Sequence, residues 1–312
     1  MKLFRFIQFY KCILLLLCLA ALIFITLNKT GRHSKNTEKG TVMVFKEILP
    51  QVKLRPYVKM LYFYESDSDA DYDDIVFPSG TMEVIFNLGQ GSWKTKKDGT
   101  FYTTPPIELW GQITKPLAIK SLGKNVMLGV RFYPHSAAYF FNESIAEFNN
   151  EIVSAADLFG ASLKTLHEKL LDITGLDNRI ALVEDYLCRR LLVSEKRHDK
   201  IKFIGEIVNN LKSDYNREII AVSVRNNIST RYLNMLFSQY TGLPPKLFCK
   251  INRFQHSLNL VNANDQKLTN VAYDAGYFDQ SHFIKEFKLF TGITPNAFAA
   301  QASPINQFLA GN

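Results

Sequence analysis

The feature that most constrains this chain is a pair of similar segments that lie fifty residues apart. Residues 229–248 read STRYLNMLFSQYTGLPPKLF, and residues 279–298 read DQSHFIKEFKLFTGITPNAF. Five positions are identical without a gap: Phe237/Phe287, Thr241/Thr291, Gly242/Gly292, Pro245/Pro295 and Phe248/Phe298. A repeat of this kind predicts that the C-terminal third folds as two copies of one structural unit.

Each copy predicts a helix with one buried face, a glycine stop and a restart at proline. In the second copy, Phe283, Phe287 and Phe290 fall on one helical stripe. Gly292 follows the stripe, at the place where helices often end in a left-handed residue. Pro295 cannot continue that helix but suits the first turn of the next one.

A shorter helical pattern lies upstream of each copy, at residues 218–228 and at residues 268–278. The first pattern breaks at Asn227 and the second at Gly276, and both residue types tolerate left-handed backbone. Helix, short turn and helix is the signature of the helix-turn-helix motif. The chain is therefore predicted to contain two such units, joined by a helix over residues 245–261.

These residues resemble a known family of DNA-binding proteins. The segment from Val222 to Phe298 resembles the DNA-binding domain of AraC-type transcription regulators, and AYDAGYFDQSHFIKEFKLFTGITP matches the signature of that family almost position by position. The segment from Ile48 to Leu192 is similar to the N-terminal domain of one AraC-type subgroup, through LRPYV, FPSGTMEVIFNLG and GVRFYP. The resemblance implies a transcription regulator that binds double-stranded DNA in successive major grooves. It also implies RNA polymerase as a partner and an unidentified small-molecule or protein effector.

The second helix of each unit, the recognition helix, supplies the predicted DNA contacts on its outward face. By resemblance, the base-facing residues of the first unit are Arg231, Asn234 and Met235. Arginine pairs bidentately with guanine in the major groove, and asparagine pairs with adenine. In the second unit the matching residues are Gln280, Ser281, His282 and Lys285.

Other polar residues of the helical region are predicted to have structural roles. Asp279 immediately precedes the second recognition helix and is expected to cap its N-terminus. Thr241 and Thr291 are expected to cap helix ends rather than to bind phosphate. Arg253 is expected to pair with an acidic side chain between the two units.

Residues 43–195 predict a β-rich sensing domain that is closed by helices. Its strand patterns are rich in β-branched and aromatic residues, and they lie at residues 57–64, 81–88 and 126–133. Helical periodicity begins near residue 157. Since residues 196–312 are predicted to form an all-α domain with two helix-turn-helix units, the expected fold class is α+β.

Three connecting segments carry predictions of their own. The acidic stretch ESDSDADYDD, residues 65–74, is expected to be a solvated loop, and GQGSW, residues 89–93, is expected to be a hairpin turn. The charged stretch SEKRHDK, residues 194–200, has no apolar period and is predicted to link the two domains.

The charge of the chain is unevenly placed. Residues 197–312 hold 13 basic and 8 acidic side chains, whereas residues 41–196 hold 17 basic and 20 acidic ones. A basic C-terminal third favours a polyanionic partner. The four cysteines have no metal-ligand spacing and His135 has no ligand neighbours in sequence, so neither a metal site nor a cofactor is expected. No catalytic residues are predicted, and the chain is expected not to be an enzyme.

Residues 1–42 form an apolar N-terminal segment and linker with three open interpretations. The apolar run at residues 12–27 is 16 residues long, which is short against the roughly 20 residues of a membrane-spanning helix. It is a membrane anchor, a signal peptide, or a mistaken start upstream of a protein that begins at Met43. We expect a cytoplasmic protein, either soluble from Met43 or anchored in the inner membrane. The competing hypothesis is a membrane-anchored, ligand-sensing protein whose helical domain binds a protein partner.

Overall fold

A computed structural model describes residues 33–38, 41–66, 71–191, 195–213, 219–263 and 266–300. In these residues antiparallel strands come first and helices follow, so the predicted α+β class is confirmed. The apolar run at residues 12–27 lies outside the described residues. Among the helices that are described, none combines the length and the apolar character needed to cross a membrane.

Within the described residues, eleven strands form two antiparallel sheets. The strands are β1 (His33–Glu38), β2 (Thr41–Ile48), β3 (Val58–Ser66), β4 (Tyr72–Val76), β5 (Glu83–Asn87), β6 (Ser92–Lys97), β7 (Thr100–Thr103), β8 (Ile107–Trp110), β9 (Leu117–Leu122), β10 (Val126–Phe132) and β11 (Ile152–Ser154). The first sheet has the order β1-β2-β3-β10-β5-β8-β11, and the second has the order β4-β9-β6-β7. Strand β1 precedes Met43, so the first sheet begins upstream of the predicted domain boundary.

The two sheets pack face to face because each strand sends alternate side chains to opposite faces. On β3, Tyr62 and Tyr64 lie between the sheets, whereas Leu61 lies on the helical side. Gly129 on β10 is paired with Tyr62, and a Cβ at Gly129 would fall 2.1 Å from the tyrosine ring. Only glycine therefore leaves room for this ring. The layer between the sheets comprises Phe45, Tyr62, Tyr64, Val76, Ile85, Trp93, Trp110, Ile113, Ile119 and Met127.

The helices of the described residues cover the other face of the first sheet and then continue as the C-terminal region. They are α1 (Ala155–Phe159), α2 (Ala161–Asp172), α3 (Leu176–Arg190), α4 (Glu195–Ser213), α5 (Ile219–Arg225), α6 (Thr230–Thr241), α7 (Pro245–Ala263), α8 (Leu268–Asp274), α9 (Gln280–Thr291) and α10 (Pro295–Ala299). Two short 3-10 turns, Ser136–Tyr139 and Ile145–Phe148, precede them. One apolar core runs without a break from Leu61 and Phe132 through Ile204 to Leu243 and Phe254.

The segment at residues 194–200, predicted as a linker without helical period, is helical from residue 195 onward. Residues 195–200 form the first turns of α4, which continues to Ser213. Arg197 holds this end of the helix in place, because its guanidinium donates a hydrogen bond of 2.5 Å to the carbonyl of Phe141. The apolar period of α4 begins only at Ile201, which is buried. A charged first turn followed by an apolar stripe therefore resembles a linker in the sequence.

Two loop predictions also need correction. The acidic stretch 65–74 is not a loop at either end, because residues 65–66 belong to β3 and residues 72–74 belong to β4, which pairs with β9. The hydroxyl of Tyr72 contacts the hydroxyl of Tyr64, which fixes β4 against the first sheet. The GQGSW segment does not close a hairpin, because β5 lies in the first sheet and β6 lies in the second. It carries the chain from one sheet to the other.

Candidate nucleic-acid interface

The first helix-turn-helix unit consists of α5 and α6. The turn between them contains Asn227 in left-handed backbone, with a φ of 57°. Ser223 on α5 is buried, and its hydroxyl lies 2.9 Å from the hydroxyl of Thr230, so the two helices are held close where they cross. Ser229 caps α6 by accepting a hydrogen bond of 3.2 Å from the backbone N–H of Tyr232.

The second unit consists of α8 and α9 and repeats this arrangement. Gly276 occupies the left-handed position of the turn with a φ of 80°, and Ala272 on α8 is buried. The carboxylate of Asp279 accepts a hydrogen bond of 2.7 Å from the backbone N–H of His282. The predicted capping role of Asp279 is therefore confirmed.

Both recognition helices, α6 and α9, end as the sequence predicts. Gly242 and Gly292 follow them in left-handed backbone, each with a φ of 82°. The hydroxyls of Thr241 and Thr291 donate to carbonyl oxygens four residues earlier, at 2.7 and 2.8 Å. Each hydroxyl also accepts a backbone N–H two residues later, at 3.2 Å. Both threonines are buried, so their expected capping role is confirmed.

The predicted inward faces of the recognition helices are confirmed. The ring of Phe287 lies 5.6 Å from each of the rings of Phe254, Phe283 and Phe298, measured between ring centroids. This cluster fixes which side of α9 faces solvent. The buried apolar residues are Leu233, Leu236, Phe237 and Tyr240 on α6, and Phe283, Phe287 and Phe290 on α9.

The outward residues of the first unit differ in solvent exposure and in their hydrogen bonds within the protein. Arg231 is exposed, and Met235 is 54% exposed. Asn234 is half-buried, and its side-chain N–H donates a hydrogen bond of 2.7 Å to the carbonyl of Thr230. A contact between Asn234 and an adenine edge would therefore require a different rotamer of this side chain.

In the second unit, Gln280, Ser281 and Lys285 are exposed near the start of α9. His282 is half-buried instead, and its Nε2 lies 3.8 Å from a carboxylate oxygen of Glu286. Its ring also packs edge-on against Tyr277, with 5.3 Å between centroids. Part of the imidazole is therefore occupied by contacts within the protein.

An ion pair joins the connecting helix α7 to the second recognition helix. Arg253 donates to both carboxylate oxygens of Glu286 at 2.8 Å, and both side chains are buried. The guanidinium also stacks over the ring of Tyr277, 4.5 Å from its centroid. The prediction that Arg253 pairs with an acidic side chain between the units is confirmed. The pair fixes the orientation of α9 relative to α7.

Exposed apolar residues that were not predicted from the sequence lie beside the recognition helices. Phe278, which directly precedes the cap residue of α9, is 90% exposed, and Tyr273 on α8 is 81% exposed. On α5, Val224 is 71% exposed. Phe278 lies in the turn before α9, outside the helical stripes that bury the other aromatic residues. Its position in the sequence could therefore have identified it as exposed. Phe278 and Tyr273 therefore add apolar surface beside α9 in the second unit, and Val224 does so on α5 of the first unit.

Comparison with known proteins bears on the two parts of the chain separately. Residues 222–301 match a family model described as a helix-turn-helix domain. Residues 46–154 match a family described as a domain of unknown function, DUF6597.

Similar proteins include transcriptional activators. The chain is 27% identical over 122 residues to the HTH-type transcriptional activator RhaS of Salmonella arizonae, which is 38% of this chain and 44% of RhaS. It is 24% identical over 161 residues to RhaS of Salmonella schwarzengrund, which is 50% of this chain and 54% of that protein. The chain thus spans about half the length of the curated relatives it matches. The structure of ToxT from Vibrio cholerae aligns with a TM-score of 0.44 and 13% identity, over 77% of this chain and 97% of ToxT.

Two helix-turn-helix units joined by one long helix define a class of DNA-binding fold. Residues 222–301 of this chain form a helix-turn-helix domain, and the chain is similar to HTH-type transcriptional activators. The residues from Val222 to Phe298 lie inside the matched segment, so the prediction of a helix-turn-helix domain there is confirmed.

Proposed function

We propose that this protein is a sequence-specific DNA-binding regulator of transcription, in which α6 and α9 read successive major grooves of one duplex. The observation that carries the proposal is the orientation of the two recognition helices. Each buries its apolar stripe and presents polar and basic side chains to solvent at its start. The connecting helix α7 has 19 residues, which corresponds to a length of roughly 28 Å. This length is compatible with a separation of about 34 Å, one turn of DNA, between the two contact points.

The seven outward residues predicted from the sequence are the proposed contacts with base edges. Arg231 suits a guanine edge through its two parallel N–H groups, and Lys285 suits a guanine or a phosphate. Met235 offers an apolar surface to a thymine methyl group. The proposed set is Arg231, Asn234 and Met235 on α6, and Gln280, Ser281, His282 and Lys285 on α9.

The N-terminal domain is proposed to modulate DNA binding, because it holds the C-terminal end of the first recognition helix. The side-chain amide of Gln112 donates a hydrogen bond of 2.9 Å to the carbonyl of Thr241. The side-chain amide of Asn149 donates a hydrogen bond to the carbonyl of Gly242. A displacement of the N-terminal domain would therefore shift α6.

The proposal assigns the protein no catalytic role. Its place of action is the cytoplasm, where DNA and RNA polymerase are found, and RNA polymerase is its proposed protein partner. In the part of the chain that the structure describes, no group of three His, Cys, Asp or Glu side chains is placed to hold a metal ion.

The proposal is tested with the full chain and a library of random duplexes. Repeated selection should enrich a site with two sequence elements about 10 base pairs apart, one for each recognition helix. The affinity for that site should fall steeply between about 50 and 200 mM salt, because bound phosphates release counterions. A library that stays random after selection, or an affinity that barely depends on salt, would contradict the proposal. It would then favour a helical domain that binds a protein.

A further inference from the structure

The layer between the two sheets contains a cavity of about 60 Å³. One water molecule needs roughly 10–15 Å³ of such space, so the cavity has room for a compact group of several non-hydrogen atoms. Aromatic faces attract cations through their electron-rich π systems. The aromatic side chains that line the cavity are Phe45, Tyr62, Tyr64, Phe77, Trp93 and Trp110.

Two carboxylates also line the cavity, and the charge of the first is balanced. Glu83 accepts a hydrogen bond of 2.7 Å from the Nε of Arg131, which is buried on the neighbouring strand. Its second oxygen accepts a hydrogen bond of 2.6 Å from the hydroxyl of Tyr62. Glu83 and Arg131 therefore form an ion pair in which the two charges neutralise each other.

Glu108, the second carboxylate, has no counter-ion among the described residues. Its side chain is buried and accepts hydrogen bonds from the hydroxyl of Thr104 and the indole N–H of Trp110, both of which are neutral. No Lys, Arg or His occurs among the described residues that line the cavity. Buried charges in proteins are normally paired. Burial raises the pKa of Glu108 to about 7, so the carboxyl ionises at neutral pH when a cation approaches it.

Trp93, on β6 of the opposite sheet, contributes a hydrogen-bond donor to the same cavity. Its indole N–H is buried and has no hydrogen-bond partner within the described residues. Buried donors of this kind are rare in folded proteins. An oxygen atom on a bound ligand would satisfy it.

We propose that this cavity binds a small organic cation of the alkylammonium class that also carries an oxygen atom. The cationic group lies among the aromatic rings opposite Glu108, and the oxygen accepts the N–H of Trp93. An anionic ligand is disfavoured by the unpaired carboxylate. The effect of the ligand on DNA binding rests on the proposed function. The binding of the ligand itself does not, because it is measured without DNA.

Phe77 links this cavity to the helix-turn-helix domain. Its ring lines the cavity and also contacts Phe254 on α7 and Phe298 on α10, with 6.4 and 5.8 Å between centroids. The next residue, Pro78, accepts a hydrogen bond from the side chain of Gln255 on α7. A ligand that displaces Phe77 therefore acts directly on the helix that joins the two units.

Intrinsic fluorescence tests the site, because the two tryptophans of the chain, Trp93 and Trp110, both line the cavity. Choline and tetramethylammonium are titrated into the full-length protein without DNA. The neutral carbon analogue of choline, 3,3-dimethylbutan-1-ol, serves as the matched ligand control. Choline should change the fluorescence saturably, and the neutral analogue should bind roughly tenfold or more weakly.

Two variants test whether the ligand binds next to the carboxylate of Glu108. Glu108→Gln keeps the shape and the acceptor for Trp110, and it should weaken choline binding by roughly tenfold or more. Glu143→Gln, at an exposed position, should bind choline as the wild type does. Equal binding of choline and its neutral analogue to the wild-type protein, or no saturable response to either cation, would overturn the proposal even if Glu108→Gln does not fold. A saturable response with no effect of choline on DNA affinity would overturn the link through Phe77.

Discussion

Gly242 and Gly292 provide a direct test of the contact between the N-terminal domain and the first helix-turn-helix unit. Both follow a recognition helix with a φ of 82°, so alanine at either position imposes the same left-handed strain, roughly 1–2 kcal/mol. Their surroundings differ. A Cβ at Gly242 would lie 2.8 Å from the Oδ1 of Asn149 and 2.9 Å from the Cγ of Gln112. A Cβ at Gly292 would have no neighbouring atom of the described residues within 4 Å.

The different surroundings of the two glycines determine how much stability each substitution to alanine should cost. Overfilling a packed site costs roughly 1–3 kcal/mol beyond the backbone strain. Gly242→Ala should therefore reduce the free energy of unfolding by about 2–5 kcal/mol, and Gly292→Ala by about 1–2 kcal/mol. The backbone strain is common to both variants, so their difference in stability reports the contact of residue 242 with Gln112, Ile145 and Asn149.

The assay is urea denaturation of the full-length variants, followed by far-ultraviolet circular dichroism and by tryptophan fluorescence. Both tryptophans lie in the N-terminal domain, so fluorescence and circular dichroism together show whether the two domains unfold in one transition. Equal losses of stability for Gly242→Ala and Gly292→Ala would refute the packing of the N-terminal domain on α6.

Three further predictions concern buried groups. Arg253→Ala should lower the free energy of unfolding, measured by urea denaturation, by about 3–5 kcal/mol, because it leaves Glu286 buried without its partner. The double variant Arg253→Met/Glu286→Leu should recover most of this loss, and a failure to recover would count against the ion pair. Phe287→Ala should cost roughly 3–5 kcal/mol by the same assay, and a loss below 1 kcal/mol would mean that the α9 face is wrongly assigned. Burial raises the pKa of Glu108 to about 7 from its usual value of 4.5. The stability of the wild type relative to Glu108→Gln should therefore be greatest below pH 4.5 and should fall, by about 3 kcal/mol, as the pH rises to above 7. A stability difference that does not change with pH would contradict the burial of this carboxyl.

The helix-turn-helix units could be predicted closely from the sequence because their determinants are local. A stripe of Phe283, Phe287 and Phe290 fixes the buried face, and Gly292 and Pro295 fix where α9 ends and α10 begins. Asp279 caps α9 from the adjacent position. Each of these effects acts within a few residues, so the sequence pattern is sufficient to predict it.

The arrangement of the N-terminal domain could not be predicted, because it depends on pairing between distant strands. Glu83 and Arg131 face each other only because β5 pairs with β10, and nothing near either residue in the sequence indicates the ion pair. Glu108 likewise enters the cavity through the pairing of β8 with β5. The core shared by the two domains could not be predicted for the same reason, since its residues Phe77 and Phe254 are in contact but lie far apart in the chain.

The central claim is that α6 and α9 both read DNA, and it is tested most directly by measuring the Kd of full-length variants for the selected duplex by fluorescence anisotropy. Arg231→Ala and Lys285→Ala each remove an exposed side chain from one recognition helix, and each should weaken binding by about 1–3 kcal/mol without lowering the Tm. Lys164→Ala, at an exposed position on α2 in the N-terminal domain, should leave the Kd unchanged. If either Arg231→Ala or Lys285→Ala binds as tightly as Lys164→Ala does, the corresponding recognition helix does not read the DNA and the account is contradicted.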